Sequence, residues 1–545
     1  MPPNIVLLMA DQLTPFALPS YGHPVVRAPA LSRLASEGVV FDAAYCNFPI
    51  CAPSRFSMLS GRMPHAIGAF DNASEFPSEI PTMANYLRAA GYRTILAGKM
   101  HFVGADQLHG YDERLTTDIY PADFLWVPDW SRGPQHRPTG VGMGHVVDAG
   151  PCVRNMQIDY DEEVAHVAVQ KIFDLARSQD APFFLTVSFT HPHPPFVSPQ
   201  EEWDVYEGVH IDDPAVPEIA FDALDPHSQW LYIAHGQDRH AVSRDHVRRA
   251  RRAYYAMVSY VDRKIGEVLE ALERSGLARD ALIVFCADHG EMLGERGMWY
   301  KQTFYEPSVR VPLVVRAPGI APGRRAEVCS LVDLLPTFLD VAARGGTHVE
   351  AVDALAGNSL MPLLEGNPAR WPGEAVSEYS SEGVIAPSRM VRSGAFKYIF
   401  TRGLAPLLFD LDADPRELEN LAGRPHVADT ERRLRERALA DWDPDAIDAR
   451  IRASQRRRLF LRELGMKTGA FPDWTFEARA GDAQRFVRPA TATGAVGAKP
   501  RARFPYVEPT PPDRTTTPAD RRAAPAPPPC RDHAANAEGG NDGPA

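Results

Sequence analysis

The chain has 545 residues, 44% of them hydrophobic, which is enough for one large α/β domain and a smaller one. Its formal charge of -12 argues against nucleic acid as a partner, since phosphate binding needs a basic face. The cysteines (Cys46, Cys51, Cys152, Cys286, Cys329, Cys530) show neither paired nor metal-ligand spacing, which predicts reduced thiols. Met1-Pro2-Pro3-Asn4 lacks the basic start of a secretion signal, and no run approaches the roughly 18 apolar residues of a membrane span. The expectation is a cytoplasmic protein with no membrane partner.

The run Ile5 to Ala10 is continuous and apolar, as in a strand buried on both faces of a parallel sheet. It ends at Asp11-Gln12. Next comes Cys51-Ala52-Pro53-Ser54-Arg55, where Pro and Ser mark a helix start with Cys51 at its positive end. Arg55, one turn on, lies on the same side as Cys51. That arrangement is an anion site.

The strand pattern then recurs. Tyr92 to Ala97 runs into Gly98-Lys99-Met100-His101, and Phe183 to Phe189 into Thr190-His191-Pro192-His193-Pro194. Ala281 to Ala287 runs into Asp288-His289-Gly290-Glu291, and Lys301 follows in Met298-Trp299-Tyr300-Lys301. Ligands bind at the carboxyl ends of strands in open α/β sheets. Singly, these residues read as turns, core histidines or solvated lysines; together they predict one site.

Between these motifs, Tyr254, Val258, Val261, Ile265, Val268 and Leu272 form the apolar stripe of a helix covering the sheet. Val311 to Arg316 is a further short strand. From about 375, runs at Met390 to Arg392, Phe396 to Phe400 and Leu407 to Leu411 predict a small antiparallel sheet. Arg456-Arg457-Arg458 reads as a solvated helix face. Beyond about 489, Pro and Ala dominate and no apolar period can be traced, so a disordered tail is expected.

The residue types define the chemistry. Asp11 and Asp288 are hard oxygen ligands for Ca²⁺, Mg²⁺ or Mn²⁺, and His289 shifts the preference toward Mn²⁺. Arg55, Lys99 and Lys301 can neutralise the oxygens of a sulfate or phosphate group. His101 and His193 are proton carriers near neutral pH.

Cys-x-Pro-Ser-Arg followed by Ser57-x-Leu59-Ser60-Gly61-Arg62 resembles the signature of the sulfatase family in the alkaline-phosphatase-like superfamily. Asp11-Gln12, Gly98-Lys99-x-His101, His193, Asp288-His289-Gly290-Glu291 and Lys301 with Phe304 to Leu313 match its other motifs over roughly residues 4 to 420. The resemblance implies an alkaline-phosphatase-like/sulfatase α/β fold: a large, mostly parallel sheet flanked by helices, and a smaller C-terminal domain with a short antiparallel sheet. It also implies Cys51 oxidised to formylglycine by a maturation enzyme, and one divalent cation held by Asp11, Gln12, position 51, Asp288 and His289. Arg55 and Lys99 are implied as sulfate binders, His101 as a base, and His193 or Lys301 as the acid.

Asp71 to Pro77, Lys99 to Tyr111, Leu115 to Phe124, Asp225 to Ser228, Arg251 to Asp262 and Glu382 to Pro387 are similar to choline-sulfatases within that family. Trp126 and Trp130 could offer aromatic faces to a quaternary ammonium and Glu378 or Glu382 a charge, although two tryptophans four apart also read as a packed pair. Two positions depart from that subgroup. Gly144-His145-Val146 stands where it carries His-Asn, and Thr475 where it carries Asp, with Asp473 one candidate substitute.

The expected domains are 1–370 (catalytic), 371–465 (smaller α+β), 466–488 (an oligomer arm) and 489–545 (tail). The expected reaction is hydrolysis of choline-O-sulfate, a small-molecule sulfate ester. The alternatives are an arylsulfatase, a phosphonate monoester or phosphodiester hydrolase, and a non-catalytic anion binder with unmodified Cys51.

Overall fold

The computed structural model describes residues 2 to 469 apart from Arg137, Thr139, Gly140 and Gln179. Asp473, Thr475, most of the expected arm and the tail lie outside the described residues. The first ten strands are β1 (Asn4–Ala10), β2 (Val39–Tyr45), β3 (Arg93–Gly98), β4 (Glu113–Arg114), β5 (Gly150–Cys152), β6 (Phe183–Phe189), β7 (Val197–Pro199), β8 (Ala281–Ala287), β9 (Arg310–Arg316) and β10 (Gly323–Ser330). Eight of them form one sheet in the order β10-β2-β9-β8-β1-β6-β3-β4. Only β9 runs antiparallel to its neighbours, β2 and β8.

Every residue of β6 and β8 is buried, as is β1 beyond Asn4. Apolar runs of this kind need cover on both faces. The helix Arg244–Arg274 provides part of it, with Tyr254, Val258, Val261, Ile265, Val268 and Leu272 wholly buried. The helix Met156–Arg177 packs against it and onto β3 and β6. Phe338, on the helix Leu334–Arg344, meets Phe184 of β6 at 5.7 Å between ring centres.

The second sheet is antiparallel: β11 (Glu374–Tyr379), β12 (Ser388–Ser393), β13 (Phe396–Thr401) and β14 (Leu407–Asp410). Val376, Val391, Tyr398 and Leu408 close a small core with Leu434 and Ala438 of the helix Ala428–Leu439. The run that forms β11 is interrupted by Ser377-Glu378, so alternation does not reveal it. Glu378 is buried there because it faces Arg389 across the strand pair.

The helix Pro444–Thr468 ends the described chain and extends past 465, the expected end of the smaller domain. Arg456 and Arg457 are exposed on it, but Arg458 is buried. The solvated-face reading is therefore corrected for Arg458, whose guanidinium forks onto the buried Asp71 with Nη2 to Oδ2 at 2.7 Å.

Candidate active site

Parallel pairing sets Ala10 at the end of β1 beside Ala287 at the end of β8, so Asp11-Gln12 and Asp288-His289 emerge side by side. The pairing of β3 with β6 brings Gly98 beside Ser188. A Cβ on Gly98 (φ 102) would lie 2.0 Å from the Ser188 carbonyl oxygen, so glycine alone lets Lys99 to His101 cross this edge. Gln12 (φ 62) and His101 (φ 61) have left-handed backbone, strain of a kind that concentrates at functional sites.

Cys51 opens the helix Cys51–Ser60, every residue of which is buried. The residue preceding it, Ile50, offers no side-chain cap. Instead Asn72 Oδ1 accepts from Ala52 N at 3.0 Å, while Ser54, expected as a cap, donates its hydroxyl to the Asp288 carbonyl at 2.6 Å.

Around the thiol, Sγ lies 3.2 Å from Lys301 Nζ, 3.3 Å from His289 Nε2 and 3.8 Å from Asp11 Oδ1. Lys301 also donates to Gln12 Oε1 at 2.6 Å. Arg55 Nε donates to Asp288 Oδ2 at 2.8 Å and Nη2 to Asp11 Oδ2 at 3.2 Å, with Nη1 on the Lys99 carbonyl and Ser188 Oγ. Its fork thus clamps the two carboxylates. Lys99 Nζ reaches Asp11 as well and sits 3.9 Å above the Tyr120 ring. None of Asp11, Cys51, Arg55, Lys99, His101, His193, Asp288, His289 and Lys301 is more than 3% exposed. The chamber is closed.

The charges tune one another. Burial alone would push the Cys51 thiol up, but Lys301, Lys99 and His289 outweigh it and hold it well below the ordinary thiol range. Burial, aided by the Lys99 charge, lowers His101 and favours its neutral form. Burial also opposes charge on Lys301, yet Cys51, Asp11 and Asp288 prevail and raise it. Asp288 is lowered, Arg55 and His289 overcoming the cost of burial.

Several groups position these residues, and two of them, Asp118 and Asp161, carry no signal of their own in the sequence. Asp118 accepts from Met100 N and His101 N at 3.1 and 2.8 Å and from Arg114 at 2.7 Å, which fixes the Lys99 to His101 bend. Asp161 accepts from Thr190 N, His191 N and His191 Nδ1, ordering the loop that carries His193. Glu291 accepts from Gln12 Nε2 and from Tyr300 N.

The aromatic and acidic candidates divide. Trp126 stands edge-on to His101 at 5.5 Å and beside Tyr120 at 5.0 Å. Trp130 opens a short turn (Trp130–Arg132), donates Nε1 to the Ser381 carbonyl at 3.1 Å and carries the Arg452 guanidinium on its ring. Glu382, next to Ser381, is buried, and Lys301 and Asp71 both act on its charge. Glu378 is engaged elsewhere: His65 donates to it from its backbone N at 2.9 Å and lies within 2.7 Å through Nδ1.

The sulfatase family model matches residues 3–344. The chain belongs to the sulfatase family. A second model, N-sulphoglucosamine sulphohydrolase, C-terminal, matches residues 294–442. The sulfatase is 43% identical over 496 residues to a choline-sulfatase of Rhizobium meliloti (strain 1021), covering 89% of this chain and 96% of that one. It is 30% identical to arylsulfatase K of Gallus gallus over 77% of this chain and 79% of that protein. Among solved structures, the phosphonate monoester hydrolase of Agrobacterium radiobacter superposes with a TM-score of 0.64 at 25% identity, covering 83% of this chain and 96% of that one. The protein is a sulfuric ester hydrolase with the alkaline-phosphatase-like fold expected from its motifs.

Sulfatases generally use a metal ion and formylglycine, and the donor set here fits a divalent cation. One ligand atom each from Asp11, Cys51, Asp288 and His289 fall within 4.8 Å of one another, all buried. His289 Nδ1 faces the Gly290 carbonyl at 3.1 Å, leaving Nε2 toward Sγ and both carboxylates, the orientation a second-shell bond gives a ligand histidine.

Proposed function

We propose that this sulfatase hydrolyses choline-O-sulfate, using a formylglycine made from Cys51 and one divalent cation, Ca²⁺, Mn²⁺ or Mg²⁺, held by Asp11, Gln12, Asp288, His289 and position 51. The observation that carries the reading is the closed chamber around position 51, where three cationic side chains and a neutral histidine converge on the atom that would attack sulfur. The similarity to choline-sulfatase over nearly the whole chain supports the substrate, as does Glu382 within reach of the Lys301 charge.

Sγ stands where the oxygen of the matured residue would lie. When bound, the cation would polarise the sulfate ester and steady the deprotonated nucleophile. Arg55 keeps the two carboxylates apart and in place, while Lys99 and Lys301 offset the charge that develops on the sulfate oxygens. As the S–O bond breaks, Lys301 gives its proton to the departing alcohol oxygen; a tightly held proton passes to an oxygen as basic as an alkoxide. His193 lies on the same wall, edge-on to Tyr120 at 5.7 Å. His101, kept neutral, takes the last proton from position 51 as sulfate departs. Glu382 supplies the counter-charge for the ammonium, and Trp126 and Trp130 wall the chamber.

The reading extends to a formylglycine-generating partner, a cytoplasmic location and a homo-oligomer built through the C-terminal region. Unpaired buried Cys46, Cys152, Cys286 and Cys329 support a reducing compartment, and no described helix is long and apolar enough to cross a membrane. Phe460, Leu461, Leu464 and Met466, exposed near the end of the helix Pro444–Thr468, support self-association.

The test is kcat/KM for choline-O-sulfate, an aryl sulfate and a phosphonate monoester on metal-replete enzyme, with the mass of the peptide holding position 51 measured in parallel. The expected result is the aldehyde mass, a preference for choline-O-sulfate, and no turnover by Cys51→Ala. Preference for either other ester would reassign the substrate, and an unmodified thiol with no turnover would leave an anion-binding protein.

A further inference from the structure

Lys301 stands in a run without regular structure, and both its neighbours, Tyr300 (φ 69) and Gln302 (φ 82), have left-handed backbone. Residues with a Cβ keep that conformation only where their surroundings over-determine it. Tyr300 is held by Glu291 at its N–H and donates its hydroxyl to the Gly142 carbonyl at 2.6 Å. Gln302 is held at three points. Its N–H donates to the Pro49 carbonyl at 3.0 Å, its carbonyl accepts from His227 Nε2 at 2.9 Å, and its Oε1 accepts from His235 Nε2 at 2.6 Å.

Both histidines belong to one helix, Pro226–His235, and both are buried. The His235 ring also stands edge-on to Tyr300 at 5.1 Å, so a single imidazole touches the residues on both sides of Lys301. Lys301, His289 and Asp11 meet Cys51 Sγ, whereas these two histidines meet Gln302 and Tyr300. We propose that His235, assisted by His227, is a positioning residue for Lys301: by tethering Gln302 it aims the ammonium between Gln12 and position 51. The inference rests on the role given to Lys301 above.

A histidine that only fills the core would lower activity alike on every substrate and whatever stands at 301. A positioning residue acts through Lys301 alone, so its effect must vanish when Lys301 is gone and must grow with the basicity of the leaving group. The experiment measures kcat/KM of matured, metal-replete enzyme on choline-O-sulfate and on aryl sulfates of rising leaving-group basicity. The variants are His235→Ala, His235→Gln, Lys301→Ala and the double variant His235→Ala/Lys301→Ala, with thermal unfolding as a check on folding.

The expected outcome is a loss of about 10-fold or more on choline-O-sulfate for His235→Ala and under about 3-fold on a nitrophenyl sulfate. His235→Gln, whose amide can donate to the same oxygen, should restore most of the loss. In the Lys301→Ala background, His235→Ala should change the rate by less than about 2-fold. If His235→Ala fails to fold, Gln302→Gly removes the tethered side chain at a φ that suits glycine, and the same leaving-group pattern is expected. A loss that persists in the Lys301→Ala background, or that is equal for every leaving group, overturns the positioning role while leaving Lys301 in place. Full activity of Lys301→Ala would instead remove the role of Lys301 itself, and the inference with it.

Discussion

Replacing Arg458 by methionine removes both hydrogen bonds through which a guanidinium holds the Asp71 carboxylate, while keeping a chain of similar length. The side chains are 7% and 0% exposed, so water cannot take over from the lost donors. Breaking a buried pair from one side costs about 3 to 5 kcal/mol. Asp71 keeps its bonds from Ala73 N at 3.0 Å and Ser74 Oγ at 3.3 Å, which places the expected loss near the lower end, about 3 kcal/mol, or roughly 150-fold in the unfolding equilibrium. Urea unfolding followed by tryptophan fluorescence measures it. The double variant Asp71→Asn/Arg458→Met, which leaves no buried charge, should recover to within about 1 kcal/mol of the parent. A single variant within about 0.5 kcal/mol of the parent, or a double variant no better than the single, would refute the reasoning.

Burial raises the Glu382 carboxyl, opposed by Ser381 and by Lys301, and a bound ammonium would draw it back to its charged form. Glu382→Gln should lower kcat/KM for choline-O-sulfate about 10- to 100-fold and spare a neutral aryl sulfate; equal losses on both would remove the carboxylate from ammonium recognition. Dialysis against a chelator should abolish turnover and Mn²⁺ or Ca²⁺ should restore it, whereas activity indifferent to chelation would contradict the cation. Burial also lifts the Asp333 carboxyl from 3.8 to about 7. The folded chain therefore holds a proton that the unfolded chain releases at lower pH, so this contribution to stability is full in acid and lost as pH rises through 7. Asp333→Asn should flatten the change in thermal midpoint between about pH 5 and 8; an unchanged slope would count against a protonated Asp333.

The strands that deliver charged residues at one edge could be read directly, because β1, β6 and β8 are largely apolar and end abruptly in Asp, Asp-His or Thr-His. Signals of that kind depend on contrast within a few residues. β11 has none, since Ser377 and Glu378 interrupt its apolar run and Glu378 is satisfied by His65, 313 positions away. For the same reason Arg458 looked solvated: its partner Asp71 lies 387 positions away, and no periodicity reports a pair at that separation. The anchors Asp118 and Asp161 act on backbone N–H groups of neighbouring loops, a role any carboxylate in a turn could have. Their contribution appears only when the loops are folded.

The closed chamber also dictates an order of events in the life of the chain. Cys51 is 1% exposed, at the mouth of a helix buried along its whole length. The maturation proposed above would need an enzyme to reach that thiol, and the folded protein does not present it. On that proposal, chemistry at position 51 would precede the docking of this helix onto the sheet. The active share would then be set by a race between that modification and folding, and faster folding would yield more thiol and less catalyst.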